Sequence, residues 1–214
     1  MTLFSWRPNR SGVCFATADV LDETRNHCGR ARAMTVFTAI RPWYMPPGGV
    51  WLVRLIFWFT RRSLARSGTD LIDRLSFIHF ARWGIVDRIP DLGQPREMLR
   101  QPLFMFESNY DGTFSEYIDS FGNILTSGMQ LFWGTSYGFP TPQPTTRFMD
   151  YIRENELVAD HYYSAYPTAS TTMIVSALAL DDSHRAFRIA ASTLTDTDFP
   201  AALHAFLTNA QVNL

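Results

Sequence analysis

The chain contains no lysine: all 19 of its basic residues are arginine. This removes Schiff-base lysine chemistry and the phosphate-binding lysine of a P-loop. Such one-sided usage is expected of a GC-rich bacterial genome. Charge of either sign is sparse. Charged residues make up 18% and the net charge is −1, which leaves no basic footprint for nucleic acid. Cysteine is scarce too. Cys14 and Cys28 do not form a CxxC pair. A disulfide, a thiolate metal site and a catalytic thiol are therefore not expected, and both read as incidental thiols of a reducing cytoplasm. No apolar run approaches the roughly 20 residues that a spanning helix needs; the longest, residues 50–59, is broken by Arg54. Residues 1–33 lack the apolar core of a signal peptide. Neither G-x-S-x-G nor G-x-G-x-x-G occurs. The five histidines show no H-x-x-x-H spacing, so no metal site is expected.

Aromatic residues are abundant instead, with 17 Phe, 8 Tyr and 6 Trp in 214 residues. Together with 46% hydrophobic content this supplies a core and rules out wholesale disorder. Residues 1–33 show no sustained period and read as a flexible, dispensable N-terminal extension. The change at Met34 is abrupt, and residues 34–214 read as a single α+β domain with C-terminal helices.

Strands are expected at 35–40, 76–86, 103–110 and 160–166. The cluster Pro42, Pro46, Pro47, Gly48 and Gly49 makes a loop that no helix crosses. Residues 50–66 then read as a helix ending in Arg61, Arg62 and Arg66, cations suited to the negative end of its dipole. Thr113 and Glu116 form a T-x-x-E capping box. It opens a helix whose apolar positions Phe114, Tyr117, Ile118, Phe121 and Leu125 recur at helical spacing. Further helices are expected at 145–156, from 167 to about 192 and at 199–207, with a short helix or turn at 70–75. The order β-α-β-β-α-β is that of a ferredoxin-like antiparallel sheet with additional helices. Such a sheet leaves one face bare, to be covered by a second subunit, a ligand or the terminal helices. A homodimer is expected on this ground.

The motifs IHFARW (residues 78–83), FESNYDG (106–112) and GFP (138–140) resemble those of a family of uncharacterised bacterial proteins. The resemblance runs from Met34 to about Ala177. It implies a dimeric α+β barrel type of fold, a broad superfamily that includes dye-decolourising peroxidases, chlorite dismutases and small monooxygenases. It implies no catalytic role for any residue.

Polar residues in expected strands are the candidate site: His79, Arg82, Asn109, Asp111, His161 and Tyr163. Strand alternation puts His79 with Phe77, Ala81 and Trp83, and Arg82 on the opposite face unless a bulge intervenes. The functional reading of His79 is a haem ligand or general base; the plainer one is a core histidine bonded to a neighbour. Arg82 either anchors an anionic ligand or pairs with Glu107 or Asp111. Asn109, Asp111 and Gly112 either rim a pocket or simply shape a turn. His161 or Tyr163 would face the cavity of His79. The leading hypothesis is a binding or oxidoreductase-like domain for a bulky apolar or planar ligand, haem being the sharpest version. The second is a non-catalytic module that docks a protein or a membrane surface through residues 50–66. That helix is apolar almost all round, and Trp51 and Trp58 would sit at headgroup level beside arginines.

Overall fold

The fold is built on three long strands, two of which alternate buried and half-buried side chains along much of their length. The structure is a computed structural model, and it describes residues 7–8, 14–15, 26–43, 45, 48–67, 75–95 and 97–213. The chain divides into two compact units, Met1–Thr168 and Ala169–Leu214.

In the first unit, β1 (Arg7–Pro8) and β2 (Cys14–Phe15) pair as a short antiparallel ribbon. A four-stranded antiparallel sheet follows, made of β3 (His27–Cys28), β4 (Ala31–Ala39), β5 (Ile78–Arg88) and β6 (Met98–Asp111), in the order β3-β4-β6-β5. Helix α1 (Val50–Ser67) connects β4 to β5. After β6 come α2 (Phe114–Ile124), α3 (Thr126–Trp133) and α4 (Thr145–Asn155). The α+β class and the antiparallel sheet agree with the sequence reading. The expected short element at 70–75 lies outside the described residues apart from Leu75.

Along β6 the residues Phe104, Phe106, Ser108 and Tyr110 are buried, while Met105, Glu107, Asn109 and Asp111 point the other way and are half-buried. The buried row forms the core with α2, α3 and α4. Phe106 lies 5.0 Å from Trp133, Tyr110 stacks on Tyr117 at 3.8 Å, and Trp133 meets Phe148 at 6.1 Å. Helix α2 begins where its sequence says it should. The Thr113 hydroxyl accepts from the Glu116 amide, and the Glu116 carboxylate accepts from the Thr113 amide. The Thr113 amide and, next, its hydroxyl donate to the Glu116 carboxylate and hold that carboxyl below its ordinary range.

Two expectations need correction. The first is the strand at 160–166. No strand forms there; the segment after α4 makes one bridge, Glu156 to Val36, and then runs irregularly. The reason is visible at the edge of β4: Ala31 and Arg32 are already paired with Cys28 and His27 of β3, so a strand continued antiparallel from the Glu156–Val36 bridge would meet an occupied edge by Asp160. The second is the start of the sheet. Strand β4 begins at Ala31, upstream of the expected 35, and Asn26, Cys28 and Ala31 are buried. Gly29 turns the chain between β3 and β4 at φ +65°, and a Cβ there would lie 1.9 Å from the Pro167 carbonyl oxygen. The remainder of residues 1–25, apart from the β1–β2 ribbon, lies outside the described residues. Buried Cys28 is disulfide-bonded, contrary to the expectation of an incidental thiol.

The second unit is a helical hairpin, α5 (Thr171–Ala191) and α6 (Phe199–Ala210). Ser170 caps α5 by accepting from the Met173 amide, and Pro200 sits in the first turn of α6. Phe187 stacks on Phe206 at 4.8 Å and holds the pair together.

Candidate functional site

The half-open face of the sheet carries a polar row along β6: Glu107, Asn109 and Asp111. Each has a partner from a different element. Asp111 Oδ1 lies 3.0 Å from His79 Nε2, and the two side chains are 15% and 20% exposed. Asn109 Nδ2 donates to the Tyr162 hydroxyl at 3.1 Å. Glu107 accepts from Arg82 Nε and, at 3.4 Å, from the Thr35 hydroxyl. That bond and the Glu107 charge hold the Arg82 guanidinium above its ordinary value.

Simple alternation separates His79 from Arg82, and the structure brings them to one row. The register of β5 against β6 shifts between Ile78, opposite Tyr110, and Phe80, opposite Asn109. His79 occupies this bulge, and the extra residue turns its ring toward Asp111. The loosened ladder is repaired locally: buried Ser108 donates its hydroxyl to the Phe80 carbonyl. Of the two carboxylates within expected reach of Arg82, Glu107 takes it.

The irregular segment after α4 supplies a residue that sequence reasoning passed over. His161 and Tyr163 are exposed, whereas Tyr162 between them reaches Asn109. Burial, and next the Asp111 charge, push the Tyr162 hydroxyl above its ordinary pKa. Residues 161 and 163 lie on one side and 162 on the other, the alternation of a strand without its pairing. Asn26 anchors this segment, donating to the Leu157 carbonyl at 3.2 Å and accepting from the Ala159 amide at 2.9 Å.

Chemically, the row's acid–base groups are the His79 imidazole, the Asp111 and Glu107 carboxylates and the Tyr162 phenol. With Asp111 on Nε2, the His79 ring presents Nδ1 as its second nitrogen. A haem held by that atom fits poorly. Nδ1 adjoins the Cβ, so the macrocycle would have to lie against the strand backbone. Among the described residues no group of three or more His, Cys, Asp or Glu converges as a metal site.

A second surface lies on α1. Val53 and Ile56 are buried and Phe57 packs 6.1 Å from Phe104, so the helix does sit on the sheet. Its opposite side is not covered. Trp51, Leu55, Trp58 and Phe59 are 62%, 42%, 55% and 59% exposed. At 3.6 residues per turn these fall on one arc with Arg62, while Arg54 and Arg61 flank it. Arg54 donates to Asp87 at 2.7 Å, and Arg62 lies 5.8 Å over the Trp58 ring. Trp43, before the helix, is 75% exposed. Helix α1 carries four arginines and no acidic residue. Among the described residues no helix is long and apolar enough to cross a membrane.

Comparison of the chain with protein-family models, with curated proteins and with solved structures finds no match.

Proposed function

We propose that this protein is a membrane-surface binding module that docks through α1. The observation that carries the reading is the uncovered arc of Trp51, Leu55, Trp58 and Phe59 set among Arg54, Arg61 and Arg62. An amphipathic helix of this kind lies in the headgroup plane, with indoles at the boundary and arginines toward anionic lipid. The two indoles alone carry weight. With roughly 250 Å² per Trp and about 25 cal/mol per Å², full withdrawal of their exposed portions from water would contribute about 7 kcal/mol. Half-immersion leaves about 3.5 kcal/mol, on the order of several hundredfold in partitioning. Co-sedimentation with anionic vesicles tests this. Binding that is lost in Trp51→Ala/Trp58→Ala and weakened by salt supports it; equal recovery of wild type and variant in the pellet refutes it.

Other parts of the proposal rest on separate observations. The adjacency of β4, β6 and β5 supports a ferredoxin-like sheet in which the fourth strand is reduced to the Glu156 bridge. The disulfide of Cys28 favours an oxidising compartment over the cytoplasm. Kinship with the uncharacterised bacterial family rests on the motifs alone. Self-association through the half-open sheet face is supported by Phe80, which is exposed there; light scattering showing a strict monomer at high concentration would oppose it.

The His79–Asp111 pair favours a second reading, a small-ligand site on the sheet face that uses His79 Nδ1 as acceptor. Its test is hemin titration in the visible range, with His79→Ala as control. An unshifted Soret band removes the haem version.

A further inference from the structure

A shallow groove of about 390 Å³ runs between α1 and α3, lined by Leu52, Ile56, Ser127, Gln130, Leu131 and the Gly134–Thr135 turn. The groove and the uncovered arc of α1 are continuous. Leu52, Leu55, Ile56 and Phe59 stand at i, i+3, i+4 and i+7, so one apolar stripe supplies both the groove wall and part of the exposed arc. At the Gly134 end stands a cation: an Arg41 terminal nitrogen donates to the Gly134 carbonyl, and its Nε is buried without a hydrogen-bond partner. An apolar slot opening on a cationic, aromatic surface matches the chemistry of one class of ligand.

We infer that this groove takes up one acyl chain of an anionic phospholipid, drawn from the membrane on which α1 lies. The inference rests on the membrane reading. It deepens it, because a surface module needs only headgroups and immersed indoles, whereas a chain-binding groove lets the protein grip a single lipid molecule. Arg62, on the side of α1 that carries Leu55 and Phe59, then faces the phosphate while the chain lies against Leu52, Ile56 and Leu131. Ser127 and Gln130 are exposed on the far wall, so large side chains can be introduced there without entering the core.

The experiment uses the full chain and two separate probes. Equilibrium dialysis against palmitate, without vesicles, reads the groove. Co-sedimentation with vesicles of mixed phosphatidylglycerol and phosphatidylcholine reads the α1 surface. Wild type should bind palmitate saturably, at one site per chain. Ser127→Trp, which fills the groove, should weaken palmitate at least about tenfold while vesicle binding stays within about twofold. Gln130→Trp, on the same wall, should do the same and serves if the first variant misfolds. Trp58→Ala should lose vesicles and keep palmitate. No saturable palmitate uptake, or uptake indifferent to both groove variants, overturns the inference and leaves the membrane reading standing. Palmitate uptake without vesicle binding would instead defeat the membrane reading.

Discussion

Asn26 lies in the stretch that the sequence presents as a dispensable extension, yet it is 2% exposed and bridges two distant parts of the chain. Its amide donates to the Leu157 carbonyl and accepts from the Ala159 amide, and its own carbonyl accepts from the Ala33 amide at 2.8 Å. Replacing it by alanine removes both side-chain bonds, whose partners lie on the part-exposed segment 157–159. At about 0.5–1.5 kcal/mol for each lost bond, Asn26→Ala should cost roughly 1–3 kcal/mol. For a unit of this size that is a fall of roughly 3–10 °C in melting temperature. Leu92→Ala, on an exposed loop residue, is the matched control and should stay within about 0.5 kcal/mol. Thermal unfolding followed by circular dichroism reads both. Hydrogen exchange at the Ala159 amide should accelerate in the Asn26 variant alone. A melting temperature within about 1 °C of wild type would refute the reasoning, since the segment would then not depend on this anchor. A chain shortened to begin at Met34 should lose still more, because it also removes buried Cys28 and Ala31.

Three further outcomes follow from local geometry. Gly29→Ala should destabilise by about 2–4 kcal/mol, because the new Cβ would lie 1.9 Å from the Pro167 oxygen in a left-handed turn; an unchanged denaturation midpoint would contradict the packing of that segment. Thr113→Ala should cost about 1 kcal/mol through loss of the α2 capping box, and Thr113→Ser should restore most of it. Burial pushes the Tyr151 hydroxyl up to about 12 from an ordinary 10. The unfolded chain therefore releases that proton first as pH rises, and stability should fall from pH 10 to about 12 by up to about 3 kcal/mol. Tyr151→Phe should flatten that slope in alkaline denaturation, and an equally steep fall would reject the assignment.

How much of this was legible depended on whether a signal was local. The α2 capping box, the Pro-Gly loop before α1 and the alternation of β6 are written in adjacent residues, and the structure follows them. The Arg82–Glu107 pair follows from hairpin register and was readable as one of two options. The His79 bulge was not, because an inserted residue leaves alternation intact on either side and shifts only the relation between strands. The strand expected at 160–166 failed because pairing depends on a vacant edge. That edge is taken by His27 and Cys28, more than a hundred positions upstream. The aromatic wealth of α1 was plain in the sequence, but which side of the helix met the sheet was decided by tertiary packing: Val53, Ile56 and Phe57 went inward and the tryptophans stayed out.

Membrane docking through α1 is tested most directly by the depth of its indoles. Tryptophan emission would be followed in anionic vesicles whose lipids carry bromine near the carbonyl level, a short-range quencher. Wild type should be quenched on binding, and Trp51→Phe/Trp58→Phe, which keeps apolar surface on the helix, should bind with most of that quenching gone. Emission that stays unquenched in vesicle-bound protein, or quenching that survives the double substitution, would contradict the account.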